Sequence, residues 1–193
     1  MMKNYLLLSL FCFALCSSLH AQELRGTDKS PMDMAYFPDD FAHDIRFAPE
    51  ELEFDYPVIR VTYSRPAKNG REVMGELVPY GKVWRNGANE APEIKFYEDV
   101  KLNGKQVKAG SYALLSVPGE KEWTIILSSD VDQWGAYSYD EAKDVLRVSA
   151  PVSELSNPVE NFTIQFEGKG KGVKEGVMKL AWDQTMVEVP FTF

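Results

Sequence analysis

The sequence predicts an all-β protein: a single antiparallel β-sandwich, jelly-roll-like, with an N-terminal arm and at most one or two short helices. Three observations predict this fold. Short segments of alternating apolar and polar residues follow one another through residues 57–193, the predicted domain. Turn signals separate these segments at near-regular spacing, and no long segment shows the 3.6-residue period of a helix.

The predicted strands are of two kinds. Residues 59–64, 94–97 and 162–166 alternate between apolar and polar side chains, as a strand does when one face is buried. Residues 112–117 and 123–127 are almost continuously apolar, which is typical of strands that are buried on both faces. These segments predict the core of the sandwich.

Local signals connect the strands. "LNGK" (102–105) and "VPGEKEW" (117–123) predict β-hairpins. "WDQT" (182–185) predicts a tight reversal between two C-terminal strands. Residues 72–77 predict one short helix, which Pro79 ends.

The N terminus predicts a cleaved export signal at residues 1–21. Lys3 supplies a positive charge, residues 5–15 are apolar, and Ala21 is a small residue at the predicted cleavage site. The apolar run is shorter than the ~20 residues that a membrane-spanning helix needs, and no second such run follows. We therefore expect a chain without a transmembrane segment that is exported to the periplasm or secreted.

Residues 22–56 predict an arm that packs on the domain. The arm is acidic but contains Tyr36, Phe37 and Phe41, whereas disordered tails are usually poor in aromatic residues. Burying one such ring stabilises a fold by ~1.5–3 kcal/mol, so we expect these three rings to be inserted at the surface of the sandwich. We expect residues 22–30 to be loose.

The composition excludes several functions. The net charge is −8, and it becomes −9 when the signal, with Lys3 as its one charged residue, is removed. Such acidity argues against nucleic-acid binding, which depends on clustered Lys and Arg, and the one basic run, residues 169–174, predicts a solvated loop. Both cysteines, Cys12 and Cys16, lie in the signal, so the mature chain has no disulfide and no cysteine-ligated zinc.

Little in the sequence predicts an enzyme, and we predict no catalytic residue. Asp40, His43 and Asp44 could bind a metal at helical spacing, but a lone histidine between acids is more often solvated, so we predict no metal site and no cofactor. A Ser-His-Asp triad would have to use His43, and no Gly-x-Ser-x-Gly motif exists. A hydrolase with two carboxylates is an alternative, with Glu90 and one acid from residues 130–140.

Two segments interrupt the strands with polar and aromatic side chains. The arginine segment, residues 81–91, is "GKVWRNGANEA", and the aromatic segment, residues 128–144, is "SSDVDQWGAYSYDEAKD". Aromatic rings for stacking, beside acids and amides for hydroxyl groups, are what a sugar-binding surface needs. Loops longer than about 12 residues are usually functional or disordered. The candidate ligand-binding residues are Trp84, Arg85, Asn89, Glu90, Trp134 and Tyr137.

These candidates also have a structural interpretation. Trp84 and Trp134 could cap the end of the sandwich, since large aromatic residues are mostly packing residues. Arg85 and Glu90 could form an ion pair that fixes the turn, with the asparagines of the segment bonded to nearby backbone. In the binding hypothesis Arg85 instead holds an anion or carboxylate, and Glu90 accepts hydrogen bonds.

Several longer stretches resemble one protein family. They are "YSRP", "LVPYGKVWRNGANEA", "NGKQVKAGSYALLSVPG", "EWTIIL" and "QWGAYSYDEAKDVLRV". Over residues 31–193 the chain resembles the bacterial domain-of-unknown-function family numbered 2911, including "SPMDMAYFP" before the domain. The resemblance implies an exported β-rich domain, with no established activity and so no catalytic residue. It implies histidine where Met32 stands, and it places these residues in the family's pattern: Trp84, Arg85, Gly87, Ala88, Asn89 and Glu90.

The leading hypothesis is a non-catalytic ligand-binding domain whose ligand is a small molecule or a glycan. The alternative is a structural or assembly protein of the cell envelope without a small ligand, and the second alternative is the carboxylate-dependent hydrolase. The binding hypothesis predicts that the two segments lie together beside a cleft. The structural alternative predicts that Arg85 and Glu90 satisfy one another.

Overall fold

A computed structural model describes residues 24–52, 55–168 and 174–193. The predicted signal peptide and nearly all of the basic run lie outside these residues. The strands, in chain order, are β1 Met32–Phe37, β2 Ile59–Ser64, β3 Glu93–Phe96, β4 Val100–Leu102, β5 Lys105–Val107, β6 Gly110–Val117, β7 Glu122–Ser128, β8 Asp144–Gly168 and β9 Glu175–Thr192. The helix α1 spans Phe41–Phe47, and single 3-10 turns span Pro49–Glu51 and Glu141–Lys143.

The strands form an antiparallel sheet in the order β1-β2-β3-β6-β7-β8-β9-β4-β5. The predicted all-β antiparallel fold is therefore confirmed, and one short α-helix with two 3-10 turns agrees with the expected helix content. In the described residues the nine strands make one open sheet. No helix in the described part of the chain is long and apolar enough to cross a membrane.

Strand β8 belongs to both halves of the sheet. Its first residues, from Asp144 to Pro151, pair with β7, and from Val152 onward it pairs with β9. The halves meet across the core: the Tyr63 hydroxyl of β2 donates to the Ile164 carbonyl (3.2 Å) and accepts from the Ile164 N–H (3.0 Å). One long strand thus turns a single sheet into two facing layers.

Aromatic rings fill the space between the layers. Trp84 lies 5.7 Å from Trp123 and 5.1 Å from Phe162, both edge-on, and 6.1 Å from Trp182 in a stacked arrangement. All four side chains are buried. Edge-on and offset-stacked pairs are the arrangements that aromatic rings favour, so this group is an interior cluster that ties β7, β8 and β9 together.

The N-terminal arm contributes an edge strand. Strand β1 pairs with β2 from Met32↔Ser64 to Phe37↔Ile59. Phe37 is buried, and its ring lies 4.8 Å from that of Phe191. Phe41 is buried as well, Tyr36 is partly exposed, and Phe47 is mostly exposed.

Two local predictions are wrong. Residues 72–77 form turns, not a helix: Gly75 has a φ of 91°, and Val78 donates a backbone hydrogen bond to Val73. Residues 182–185 do not reverse the chain, because β9 runs through them without a break. Asp183 adopts a left-handed φ of 54° there, at a shift in the β8–β9 register, so the turn-like residues make a β-bulge.

The two hairpin predictions are confirmed. Leu102 pairs with Lys105 around a two-residue turn in which Asn103 and Gly104 both have positive φ, as an Asn-Gly hairpin requires. Strands β6 and β7 pair antiparallel on either side of the Pro-Gly turn.

Candidate functional site

The sheet brings the arginine segment and the aromatic segment to one place. Ala113 of β6 pairs with Glu93, at the start of β3, and with Ser128, at the end of β7. The arginine segment ends two residues before Glu93, and the aromatic segment begins at Ser128. The antiparallel ladder therefore places the two segments on the two sides of the same residue of β6.

The arginine segment is a loop that is held to β6 at two points. Trp84 and Ser116 exchange backbone hydrogen bonds of 2.7 and 2.9 Å, and the Leu114 N–H donates to the Pro92 carbonyl (2.9 Å). Between these points the Asn86 side chain makes hydrogen bonds to β6, as the backbone of a neighbouring strand would. Its amide donates to the Leu114 carbonyl (3.0 Å), and its carbonyl accepts from the Ser116 hydroxyl (2.6 Å). Asn86 is fully buried and holds the loop.

Left-handed backbone gives the arginine segment its shape. Asn86, Gly87 and Asn89 have φ values of 56°, 133° and 60°, and asparagine and glycine adopt positive φ at the least cost. A Cβ atom at Gly87 would lie 2.6 Å from the Ser64 carbonyl oxygen. Only glycine therefore fits where the loop crosses the end of β2.

Backbone hydrogen bonds join the two segments. The Gly135 N–H donates to the Asn89 carbonyl and the Ala91 N–H to the Gln133 carbonyl, both at 2.9 Å. Glu90 and Trp134 lie opposite one another in this short antiparallel bridge. The side chains of the two segments are thus held as one surface.

Arg85 and the exposed Tyr137 meet at Gly135, the residue that follows the exposed Trp134. A Cβ atom at Gly135 would lie 3.0 Å from the Tyr137 ring and 3.7 Å from Arg85 Nη1. The ring and the guanidinium therefore approach the same backbone position. Trp134 is 60% exposed and Tyr137 is 84% exposed, so both rings leave most of their surface to solvent.

A cavity of about 230 Å³, the arginine cavity, lies beside Arg85. It is lined by Arg85 and Arg71, by the indoles Trp84 and Trp182, and by no carboxylate of the described residues. The Arg85 side chain makes no hydrogen bond or ion pair in the described part of the chain, and its Nε is buried without an acceptor. An unsatisfied buried donor is costly, and more so when it is charged.

A second cavity, the acidic cavity, has a volume of about 260 Å³. Glu90, Glu93 and Asp132 line it together with Arg60. Arg60 Nη2 lies 3.9 Å from Glu93 Oε1, a long ion pair. The arginine segment thus contributes to two cavities of opposite charge, with Arg85 in one and Glu90 in the other.

Tyr139 anchors the aromatic segment to β8. Its hydroxyl donates to Asp144 Oδ2 (2.6 Å), and Arg147 Nη1 lies 2.8 Å from the hydroxyl and 2.7 Å from the same carboxylate oxygen. Burial, followed by the hydrogen bond to the Asp144 carboxylate, raises the pKa of Tyr139 to about 12. Tyr139 therefore stays protonated and serves as a fixed hydrogen-bond donor.

The residues before β1 also reach the site. The Asn89 amide donates to Asp28 Oδ1 (3.1 Å), which accepts the Ser30 N–H as well (2.7 Å). These two bonds, that from Ser30 first, hold the pKa of Asp28 below its ordinary value. Ser30 lines the arginine cavity.

The six predicted binding residues lie in or beside these features but in different environments. Trp84 is part of the interior cluster, between the layers, and also lines the arginine cavity. Arg85 and Glu90 line different cavities, and no ion pair joins them within the described residues. The other three residues lie on the joined surface: Asn89, Trp134 and Tyr137.

Sequence reasoning missed three charged or aromatic residues that line the cavities. Arg71 precedes a stretch that predicts a helix, Trp182 looks like an ordinary strand residue, and Glu93 is one acid among many in the chain. Asp132 lies in residues 130–140, the range from which the hydrolase hypothesis takes its second acid. These residues come together at the cavities only in the folded chain, so no local sequence pattern predicts that they line one site.

The described residues offer no metal site. No group of three or more His, Cys, Asp or Glu side chains among them is placed to hold a metal ion. His43 Nδ1 lies 2.9 Å from Asp44 Oδ1, which uses the histidine in a local contact on an exposed helix.

A family model matches most of the chain. The family described as protein of unknown function (DUF2911) matches residues 49–191, which include β2 to β8, β9 except its last residue, and both segments of the site in full. No curated protein and no solved structure matches the chain. Because the match spans well over half of the sequence, the chain belongs to the DUF2911 family of proteins of unknown function.

Proposed function

We propose that this protein is a non-catalytic ligand-binding domain and that its ligand is a glycan. One observation carries the proposal: the Arg85 guanidinium, which has no hydrogen-bond partner among the described residues, approaches Gly135 together with the exposed Tyr137 ring, and the exposed Trp134 directly precedes Gly135. Saccharides offer flat apolar faces that stack on aromatic rings and hydroxyl groups that bond to polar side chains. Asn89 and Glu90 supply such polar groups on the same joined surface.

The predicted N-terminal signal supports an exported location. Residues 1–21 have the charge, apolar run and cleavage site of an export signal, so we propose that the mature protein acts in the periplasm or outside the cell. An acidic chain without cysteine after residue 21 suits that setting, because it needs no disulfide and no reducing environment.

A purely structural or assembly role has less support. That hypothesis needs Arg85 and Glu90 to satisfy one another and to leave no concave surface. Within the described residues the two side chains line separate cavities, and Arg85 has no partner. A role in rigidity alone gives no reason for the buried Nε of Arg85 to lack an acceptor, because an unsatisfied buried donor costs about 1–3 kcal/mol.

A carboxylate-dependent hydrolase is a second candidate, because Glu90, Glu93 and Asp132 line one cavity. Glycosidases use two carboxylates that flank the scissile bond. In this hypothesis Glu90 would act with Asp132. Loss of glycan hydrolysis in Glu90→Gln and in Asp132→Asn, with hydrolysis retained in Asp130→Asn, would support it. Intact oligosaccharides after long incubation with the wild-type chain would reject it.

A glycan array tests the proposed binding function. We expect the wild-type chain to bind a limited set of glycans, and Trp134→Ala to weaken this binding at least tenfold, because one stacked ring is worth about 1.4 kcal/mol or more. The matched control is Phe47→Ala, which removes a similarly exposed ring from α1, outside both segments. Wild-type binding by Trp134→Ala, or no glycan bound by the wild type, would contradict the proposal.

A further inference from the structure

The arginine cavity is positively charged, whereas the whole chain has a negative net charge. The chain has 29 acidic and 21 basic residues, yet two arginines and no carboxylate of the described residues line this cavity. The acidic cavity, which Glu90 of the same segment lines, has the opposite balance. A cavity of about 230 Å³ with such a charge attracts anions and repels cations.

Arg85 is available to an anion. Its guanidinium forms no hydrogen bond or ion pair with any described residue, and its Nε is buried. Arginine presents donors in a fixed planar fork that matches the two oxygens of a carboxylate, sulfate or phosphate. An oxyanion in the cavity would satisfy the buried donor and so remove its cost.

Arg71 is held in place as a second donor. Its Nε donates to the Lys68 carbonyl (2.7 Å), and its Nη2 donates to the Ala67 carbonyl (2.5 Å). These bonds fix the plane of the guanidinium, and its Nη1 makes no hydrogen bond within the described residues. A donor that is ordered before binding loses little side-chain entropy when the ligand arrives.

The cavity has an apolar wall as well as two arginines. The exposed Leu77 lines it together with edges of Trp84, Trp182 and Val78, so a ligand with an apolar face gains contacts that a small inorganic ion cannot make. The cavity is smaller than the ~300–1,000 Å³ of sites that enclose a drug-sized molecule. It therefore suits one sugar unit of a longer ligand.

We infer that the arginine cavity binds the acidic unit of an anionic glycan, a uronate or a sulfated or phosphorylated sugar. Arg85 and Arg71 hold its oxyanion, and the following sugar units lie on Trp134 and Tyr137. This inference rests on the proposed function, because it names the ligand class of the same surface. Arg85 connects the two parts, since its Nη1 lies near Gly135, which the Tyr137 ring also approaches and which follows Trp134 in the chain.

The experiment compares two oligosaccharides that differ only in charge. Isothermal titration of the full chain uses an oligosaccharide with a terminal glucuronate, its neutral glucose counterpart, and sodium sulfate. We expect the acidic oligosaccharide to bind at least tenfold more tightly than the neutral one, with an affinity that falls as salt rises. Sulfate alone should bind far more weakly than the acidic oligosaccharide.

Arginine variants show whether the cavity is responsible. Arg85→Met and Arg71→Met should each abolish the tenfold preference. The control Arg60→Met removes an arginine of the acidic cavity and should leave the preference unchanged. Arg85→Met should melt at or above the wild-type temperature in the absence of ligand, because it removes an unsatisfied buried donor, and this shows that the variant is folded.

The other outcomes separate the two claims. Equal binding of the acidic and neutral oligosaccharides would overturn the inference and leave the proposed function intact. Sulfate binding as tight as that of the acidic oligosaccharide would overturn the inference that a sugar carries the anion. If neither oligosaccharide nor any array glycan bound, the proposed function and the inference would both fall.

Discussion

Trp84 and Trp134 lie in segments that are joined by hydrogen bonds, and their environments are opposite. Trp84 is 9% exposed and packs among Trp123, Phe162 and Trp182, whereas Trp134 is 60% exposed. Trp84 belongs to a backbone pair with β6 that turns its side chain into the space between the layers. Trp134 is held by the bridge to Glu90, outside that space. Residue type alone therefore says little about role, and strand pairing decides it.

The largest expected effect comes from truncating Trp84, and the same change at Trp134 is its comparison. Trp84→Ala should lower the free energy of unfolding by about 3–5 kcal/mol, because it empties a ring-sized volume in the interior cluster. Trp134→Ala should change that free energy by less than about 0.5 kcal/mol, as surface substitutions usually do. Urea denaturation followed by circular dichroism measures both. Similar losses in the two variants would break the distinction between the interior cluster and the binding surface.

Deleting parts of the N-terminal arm should separate its two ends. Deletion of residues 22–56 removes β1 and the buried Phe37, so it should lower the melting temperature and expose dye-binding surface; burial of that ring alone is worth about 1.5–3 kcal/mol. Deletion of residues 22–30 removes the exposed Asp28–Asn89 hydrogen bond and should leave the melting temperature almost unchanged. If both deletions melted alike, the arm would act only as a tether.

Two asparagines of the arginine segment offer a matched pair. Asn86→Ala leaves the Leu114 carbonyl and the Ser116 hydroxyl without their buried partner, which should cost about 1–3 kcal/mol of unfolding free energy. Asn89→Ala removes an exposed bond to Asp28 and should cost less than about 0.5 kcal/mol. Both residues have a left-handed φ, so the backbone cost of alanine is shared and the difference reports the buried bonds. Equal losses would show that backbone strain dominates.

The smallest expected effect is a pH dependence that comes from Tyr139. Its raised pKa means that the folded state holds the phenolic proton more tightly than the unfolded state does. The stabilisation is therefore complete below the ordinary tyrosine pKa of ~10 and is lost as the pH rises through about 12. Because the site is near the surface, we expect a loss below about 1 kcal/mol. Thermal melts between pH 8 and pH 12 measure it.

The variant Tyr139→Phe is the control for that measurement. It lacks the titrating hydroxyl, so its stability should decline less steeply over the same pH range, while at pH 8 it should be slightly less stable than the wild type because Asp144 loses one hydrogen bond. Parallel curves for the two proteins would mean that other groups cause the alkaline loss.

The sequence alone determined the fold class, the hairpins and the two unusual segments. Alternation at 59–64 and the apolar runs at 112–117 and 123–127 indicate locally which faces of each strand are buried. Asn-Gly at 103–104 favours a turn through its own backbone preference. The prediction of a reversal at residues 182–185 is wrong, because the turn-forming residues there make a β-bulge within β9. A bulge and a turn favour the same residues, and only the partner strand distinguishes them.

Tertiary structure alone decided which residues of the candidate site belong together. Pairing of Ala113 with both Glu93 and Ser128 brought the arginine and aromatic segments into contact. The tertiary fold also placed Trp182 of β9 and Arg71 of the turns after β2 in the cavity that Arg85 lines. It also separated Arg85 from Glu90, although only five positions divide them, because the loop between them turns through left-handed residues. Local propensity acts over a few residues, whereas cavities form from chain segments whose approach depends on the pairing of the whole sheet.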